Sequence, residues 1–456
     1  KFRRFLSMDN SEVYVGLDIG TTSIKALVCE NVKGQIKVIG VGVEPAAGMS
    51  RGVIVDIDKT ARVISNAIAQ AEEKSNIDIK QVIVGLPANY LQMQRVHGMI
   101  TIANNGQSRE IVDQDVLNLA REALTQSIPP ERTVIDLMPT EFTVDGFDGI
   151  KDPRGMVGVR LEMKGTLYTG PKTIIHNAKK AIQKAGYTVR DFVVSPIATG
   201  FNLLNDGEQD FGTIVIDLGG GQTTTSIIHD HQLKYSYVDP EGGQYITKDI
   251  STVLNTSLKN AEQLKRDHGF ADSTQADDNV QIDVDVVGQD KPVQYSERYL
   301  SEVIEARVRQ IFNRVARQLE RINAPELPGG VILIGGVAAL PGISSLAKQY
   351  FSGNVKVFVP EQMGIRHPRF ATSYALGLYE DRLSGIDRLI KQVVQEADFG
   401  KTTAENNDAN HQPQSESAVN SNSRPIQKRA DREQNTKKKD GSFSNKFKSL
   451  FNNLFD

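Results

Sequence analysis

The feature that most constrains this chain is a glycine turn between two apolar strands, which occurs twice. Residues 213–226 read TIVIDLGGGQTTTS: a β-branched apolar run ends at an aspartate, and three glycines lead into hydroxyl residues. Residues 13–25, VYVGLDIGTTSIK, follow the same plan, and a third strand follows each copy, at residues 36–43 and 233–238. A supersecondary unit that recurs predicts two like domains, and a pair of such turns predicts a ligand cleft between them.

The chemistry of either turn suits a phosphate and its metal ion. Glycine lets the backbone reverse sharply and approach a ligand closely. Backbone N–H groups and hydroxyls bind anions, and Mg²⁺ prefers carboxylates and water. Taken alone, each turn is equally compatible with an ordinary hairpin that has a flexible tip. The repetition favours the ligand site.

The two turns resemble the phosphate motifs of the actin, heat-shock ATPase and sugar-kinase superfamily. Residues 332–343, ILIGGVAALPGI, resemble its adenosine motif, and residues 261–265, AEQLK, resemble the helix that holds adenosine in the heat-shock branch. Each motif is common alone, but the set in this order is specific and covers about residues 13–385. The resemblance implies an α/β, actin-like two-lobed ATPase fold, built from two RNase H-like cores, that binds ATP and Mg²⁺.

The resemblance also implies a role for individual residues. Asp18 and Asp217 would face Mg²⁺, mostly through water. The residues that it assigns to the phosphates are Gly20, Thr21, Thr22, Ser23, Lys25, Gly219, Gly220, Gly221, Gln222 and Thr223. Gly242 and Gly243 match a pair that lies over the phosphates in relatives, although an ordinary turn explains them equally well. For the adenosine, it assigns Glu262 and Lys265 to the ribose or adenine and Gly335 and Gly336 to the base.

One departure from the superfamily pattern concerns catalysis. Residues 195–200 and 369–378 resemble the two segments that connect the lobes. The heat-shock and MreB branches carry a glutamate immediately before the proline of the first segment, whereas this chain has Ser195 before Pro196. Serine is not a general base at neutral pH without help. We therefore expect tight ATP binding and at most weak hydrolysis, and we assign no catalytic residue.

Two stretches interrupt the repeated cores. Short strands at residues 98–102, 134–144 and 157–163 surround one helix at residues 111–127, which indicates a small α+β insertion. Within the superfamily the chain most resembles the FtsA family, where such an insertion contacts other division proteins or neighbouring subunits; a purely structural insertion is the alternative. Residues 272–290 form an acidic, polar stretch that indicates a second small subdomain. In that family this subdomain binds the carboxyl-terminal peptide of the tubulin-like FtsZ. Lys291 and Arg298 are candidate contacts, with solvated surface charge as the alternative for either one.

Net charge, cysteine count and apolar run length narrow the class of protein further. A net charge of −3 over 456 residues does not suggest a nucleic-acid binder, and the single Cys29 fits a reducing cytoplasm. No apolar run reaches the roughly 18–20 residues of a membrane span. Residues 1–7, KFRRFLS, are basic but precede no signal-peptide pattern, and we assign them no function.

The carboxyl-terminal stretch points to a membrane surface. Residues 398–440 are too polar to fold and read as a disordered tether. Apolar residues of the last segment share an arc of about 140° on a helical wheel: Phe443, Phe447, Leu450, Phe451, Leu454 and Phe455. Lys446 and Lys448 lie on the other side, which suits an amphipathic helix on anionic lipid. A helix that docks onto its own core or a partner is the alternative.

The expected division of the chain combines these features. The ranges are residues 12–85 and 165–195 (core 1A), 86–164 (SHS2-like insertion 1C), 196–243 and 296–365 (core 2A), 244–295 (subdomain 2B), 366–397 (closing helices of 1A), 398–440 (tether) and 441–456 (amphipathic helix). We expect an ATP-binding protein that polymerises at the cytoplasmic face of the membrane at the division septum and anchors FtsZ there. The alternatives are a phosphotransferase or active ATPase, and a pilus-assembly type of scaffold, which would be expected to lack the tail.

Overall fold

The computed structural model describes residues 11–103, 106–125 and 128–408, and the side chains of those that lie between residues 12 and 396. The strands are β1 (Ser11–Ile19), β2 (Ser23–Val32), β3 (Gln35–Pro45), β4 (Met49–Ser50), β5 (Val53–Ile54), β6 (Gln81–Leu86), β7 (Gln92–Thr101), β8 (Arg109–Glu110), β9 (Arg132–Val144), β10 (Phe147–Ile150), β11 (Val157–Gly158), β12 (Arg160–Pro171), β13 (Thr188–Val194), β14 (Thr213–Leu218), β15 (Thr223–His229), β16 (Gln232–Asp239), β17 (Gln281–Val284), β18 (Val293–Ser296), β19 (Val331–Ile334) and β20 (Val355–Val357). The helices are α1 (Ile57–Ser75), α2 (Asp113–Ala123), α3 (Lys172–Lys184), α4 (Ser195–Leu203), α5 (Asp206–Asp210), α6 (Gly243–Val253), α7 (Leu258–His268), α8 (Glu297–Arg321), α9 (Ile343–Ala347), α10 (Ala371–Arg382) and α11 (Gly385–Asp408).

The two repeated units form five-stranded sheets with the same topology. The first has the spatial order β3-β2-β1-β6-β13, and the second has the order β16-β15-β14-β19-β20. In each sheet the first three strands pair antiparallel, and the last two join in parallel. The duplication predicted from the two glycine turns is confirmed.

Local signals in the sequence account for the main helix of the first core. The Asp56 side chain accepts the backbone N–H of Lys59 at 3.0 Å and caps α1, and Asn76 ends the helix in the left-handed region at φ 55°. The apolar face, including Ile64 and Ile68, is buried. Gly42 of β3 faces the Ala67 carbonyl at a distance that leaves no room for a Cβ, so the helix lies directly on the sheet.

The insertion is a four-stranded antiparallel sheet, ordered β10-β9-β12-β7, with α2 packed on it. Helix α2 is shorter than the helix predicted over residues 111–127. It begins late because the Asp115 carboxylate accepts the Val112 N–H at 2.9 Å and binds Arg109 through two hydrogen bonds, of 2.6 and 2.7 Å. A carboxylate in the first turn that satisfies a preceding N–H fixes a helix start.

The final helix packs against the core of the insertion. Ile386, Ile390 and Val393 join its apolar cluster, and buried Lys391 lies 2.8 Å from Asp136 and 3.0 Å from Asp191. The chain divides after Gln395 into two units. Helix α11 runs to Asp408, past residue 397, where the closing helices were expected to end, because extending a helix costs far less than starting one.

No helix within the described ranges is long and apolar enough to cross a membrane. Residues 1–7 and the predicted amphipathic segment, residues 441–456, lie outside the described residues.

Candidate functional site

The two glycine turns face each other. The first joins β1 to β2, and the second joins β14 to β15. A Cβ added to Gly221 would lie 2.5 Å from Cγ2 of Thr21, and Gly220 has Thr22 against it in the same way. Real Cβ atoms do not approach so closely, so glycine is required here for steric reasons.

A cleft of about 570 Å³ lies between the turns. That volume is within the range of small-molecule and cofactor sites. The sequence-predicted residues that line it are Asp18, Gly20, Thr21, Thr22, Ser23, Lys25, Asp217, Gly219, Gly220, Gly221, Gln222, Gly243, Glu262, Lys265, Gly335 and Gly336. Tertiary structure therefore brings the phosphate and adenosine motifs of the sequence to one cavity.

Two of the predicted residues do not line the cleft. Thr223 is fully buried, and its hydroxyl donates to the Glu241 carbonyl at 2.9 Å. Successive side chains of a strand point to opposite faces, so Thr224 lines the cleft instead. Gly242 packs behind the second turn, where an added Cβ would lie 2.5 Å from the Gly219 carbonyl oxygen. Thr223 and Gly242 therefore support the turn from outside the cleft, and their assignment to the phosphates stays a prediction.

The acidic end of the cleft is suited to a divalent cation. Asp18 Oδ2 lies 2.8 Å from Nζ of buried Lys25. Burial, followed by the charge of Asp18, raises the pKa of Asp217 to about 6, and Thr372 donates to Asp217 at 3.4 Å. Glycine is required at position 335, because a Cβ on Gly335 would collide with Oδ1 of Asp217. Two carboxylates beside one ammonium leave an excess negative charge, which a Mg²⁺ ion would neutralise.

Lys265 is already fully bonded within the protein. Its Nζ donates to Glu262 at 2.6 Å, to the Thr247 hydroxyl at 2.8 Å and to the Gly243 carbonyl at 3.1 Å. Burial lowers the pKa of Lys265, although Glu262 opposes the shift. An ammonium has three N–H donors, and all three are used here. Lys265 therefore joins α7 to the start of α6. Glu262 is bonded on both oxygens, to Lys265 and Thr247 at one and to Arg266 at the other.

Three basic residues that line the cleft were not predicted from the sequence: Arg266, His367 and Arg369. Arg266 lies on α7 and donates to Glu262 at 2.7 Å. His367 and Arg369 stand just before α10, in a short turn that begins at Pro368. The His367 Nδ1 accepts the Arg369 backbone N–H at 3.1 Å, and burial, then Arg369, lowers the pKa of His367. No acidic side chain of the described residues pairs with Arg369. The sequence signal for His367 and Arg369 was the stretch HPRF, residues 367–370, which overlaps the start of the second connecting segment.

Lys291 precedes β18, and Arg298 lies in the first turn of α8. Lys291 is exposed, and no described residue forms an ion pair with it. Arg298 lies at the start of α8, where its Nε is 3.1 Å from Asp278 and its Nη2 donates to the Ala276 carbonyl at 3.3 Å. Only Lys291 thus presents an uncompensated charge.

Solved structures with the same fold include the PilM–PilN type IV pilus biogenesis complex, at a TM-score of 0.56 and 16% identity, with 80% of this chain and 97% of that chain covered. MreB5 of Spiroplasma citri bound to ADP matches at a TM-score of 0.52 and 14% identity, with 81% and 96% covered. Identities this low show the fold alone. The fold is the actin-like one predicted from the repeated motifs.

Similarity in sequence is far closer. The family profile "Cell division protein FtsA" matches residues 214–375, and "SHS2 domain inserted in FTSA" matches residues 88–169. Curated proteins called cell division protein FtsA include one from Enterococcus hirae, 50% identical over 98% of this chain and 100% of the relative, and one from Bacillus subtilis (strain 168), 38% identical over 81% and 83%. The chain belongs to the cell division protein FtsA family.

Proposed function

We propose that this chain binds ATP and Mg²⁺, polymerises at the inner face of the membrane, and anchors FtsZ filaments there through its carboxyl-terminal amphipathic helix. The insertion would recruit other division proteins. We also propose the division into cores and subdomains with the residue ranges predicted from the sequence. The observation that carries the proposed function is the apposition of two glycine turns, Gly219–Gly221 against residues 20–23, with Asp18 and Asp217 at their bases.

Each part of the cleft has a role in this proposal. Backbone N–H groups of the two turns and the Lys25 ammonium would bind the phosphates. Asp18 and Asp217 would hold Mg²⁺ through its water molecules, and the cation would screen the charge of the phosphates. Gly335 and Gly336 leave a flat backbone surface for the base. Since Ser195 cannot activate a water unaided, we propose at most weak hydrolysis.

Nucleotide binding is tested with a fluorescent ATP analogue titrated with and without Mg²⁺. We expect Asp217→Ala to abolish Mg²⁺-dependent binding, because one of the two carboxylates at the acidic end of the cleft is lost. Asp210→Ala is the matched control, since Asp210 is an exposed acid that pairs with His231 on the surface. Equal binding by wild type and Asp217→Ala would contradict the proposed site, and hydrolysis of about one ATP per second or faster would favour an enzyme instead.

Membrane attachment is tested by co-sedimentation with anionic liposomes, comparing the full chain with one that ends at Asp440. Phe451→Glu places a charge on the apolar arc and should release the protein, because a charge is not tolerated at the acyl boundary. Asn453→Glu adds the same charge to the polar side and should reduce pelleting far less. Equal pelleting of the truncated and full chains would mean that the segment serves the core or a partner.

A further inference from the structure

Two arginines of helix α8 hold one carboxylate oxygen between them. Arg307 Nη1 donates to Oε2 of Glu241 at 2.8 Å, and Arg314 Nη2 donates to the same oxygen at 2.6 Å. The two arginines are seven residues apart, two turns of helix, and so share one face of α8. Glu241 lies just after β16, in the segment that leads to α6.

Each arginine also binds a second carboxylate in the bidentate manner. Arg314 donates to Asp239 at 2.6 and 2.9 Å, and Asp239 is fully buried. Arg307 donates to Asp249 of α6, also at 2.6 and 2.9 Å. Paired N–H···O bonds between guanidinium and carboxylate fix orientation as well as distance. Residues 239–249 are therefore held to α8 at three carboxylates.

The same segment is bonded to the second glycine turn. The Gly243 N–H donates to the Gly219 carbonyl at 2.9 Å, and the Gln244 N–H donates to the Gly220 carbonyl at 2.8 Å. The Glu241 carbonyl accepts the Thr223 hydroxyl, which closes the turn at its far end.

The rigidity of the peptide unit gives these bonds a consequence for the cleft. A trans peptide is planar, and its C=O and N–H point in opposite directions. When the Gly219 and Gly220 carbonyls are bound from behind, the N–H groups of Gly220 and Gly221 are directed to the other side, toward the cleft. Glycine has no side chain to restrict these peptides, so their orientation depends on such external bonds.

We infer that Arg307 and Arg314 are positioning residues for the phosphate turn: through Glu241 they hold the segment that orients the N–H groups of Gly220 and Gly221. Neither arginine lines the cleft. The inference rests on the proposed binding of a nucleoside triphosphate in the cleft. It adds that contacts from helix α8, which lies outside the cleft, control the affinity of the turn for phosphate.

Arg307→Lys and Arg314→Lys test this inference, because lysine keeps the charge but cannot donate in two fixed directions. Arg309→Lys is the matched control: Arg309 lies on the same helix and pairs with Glu305 at 2.6 Å, but it contacts Gln349 rather than the segment. We expect the affinity for a fluorescent ATP analogue to fall about tenfold in either test variant, the equivalent of losing one charge-assisted hydrogen bond. Arg309→Lys should leave it unchanged.

A second measurement does not depend on the nucleotide. Hydrogen exchange of the Gly220 and Gly221 amides in the free protein should be faster in Arg314→Lys than in Arg309→Lys. The two variants are compared at urea concentrations that give them the same free energy of unfolding, so that a difference in global stability does not enter. Should Arg314→Lys fail to fold, Glu241→Gln keeps the shape of the side chain and weakens both bonds. Unchanged ATP affinity in the test variants, or equal exchange in all of them, would overturn the inference. Failure of the wild type to bind nucleotide would instead refute the proposed function. The exchange measurement would still test the inference about the two arginines, because it uses the protein without nucleotide.

Discussion

Thr21 and Gly221 meet across the cleft so closely that a Cβ on Gly221 would lie 2.5 Å from Cγ2 of Thr21. The Thr21 hydroxyl also accepts the Gly52 N–H at 2.8 Å, which holds the threonine in place. The separation of the two turns is therefore limited by one side chain that cannot withdraw freely.

Gly221→Ala should consequently force the two turns apart. We expect a loss of about 1–3 kcal/mol in the free energy of unfolding, as for an added methyl in a packed site, and at least a tenfold loss of nucleotide affinity. Urea unfolding and titration with a fluorescent ATP analogue measure the two effects. Gly207→Ala is the control, because its nearest neighbour is 3.5 Å away and ordinary contact results. A variant with wild-type nucleotide affinity would show that the turns need not approach so closely.

The raised pKa of Asp217 predicts a dependence of stability on pH. Its pKa moves from 3.8 to about 6 on folding, so the folded protein retains a proton that the unfolded chain loses first. The associated stability is fully present below pH 3.8 and is lost as the pH rises through about 6. Asp217→Asn removes this loss. Without Mg²⁺, we expect the variant to gain about 2–3 kcal/mol relative to wild type between about pH 4 and pH 8.

Urea unfolding at the two pH values measures that difference. Asp58→Asn changes an exposed acid whose partner is Lys184, and it should give the same difference from wild type at both values. A difference for Asp217→Asn that does not change with pH would contradict the shifted pKa. Added Mg²⁺ and nucleotide should reduce the gain, because they bind the ionised form.

Lys391→Met should strongly destabilise the fold. Lys391 is buried between Asp136 and Asp191, and without it two buried carboxylates face each other unpaired. Breaking a buried pair in this way costs about 3–5 kcal/mol. The surface pair Lys184–Asp58 offers a comparison, because Lys184→Met should cost about 0–1 kcal/mol. Adding Asp136→Asn to Lys391→Met should recover part of the loss, and a further decrease would argue against charge as the cause.

Lys291 and Arg298 should contribute unequally to binding of the carboxyl-terminal peptide of FtsZ. Asp278 already compensates Arg298, whereas Lys291 has no acidic partner among the described residues. We expect Lys291→Ala to weaken binding about two- to fivefold, Arg298→Ala to weaken it less, and both effects to shrink as salt is added. Fluorescence anisotropy of a labelled peptide measures this. Lys80→Ala, at an exposed pair with Asp78, is the control, and equal losses in all three variants would exclude a specific contact.

Much of the fold was predictable because its signals are local. The duplication is visible in two short stretches with the same order of apolar, acidic, glycine and hydroxyl residues. Helix α1 carries its apolar period, its Asp56 cap and its Asn76 end within about 20 residues, so local signals are enough to define it. Helix α2 begins later than predicted because its start is fixed by Arg109 and Asp115, which compete with the apolar period.

The sequence by itself determined that the chain has two like cores, that each carries an aspartate and a glycine turn, and that the cleft between them would gather these residues. Only the tertiary structure decided that Thr223 faces away from the cleft and that all three N–H groups of Lys265 are hydrogen-bonded within the protein. It also decided that Arg307 and Arg314 meet at Glu241. The first group depends on residue types at short spacing, which constrain the backbone directly. The second depends on which face of a strand or helix meets a partner 18 to 75 residues away, and packing of the whole core selects that face.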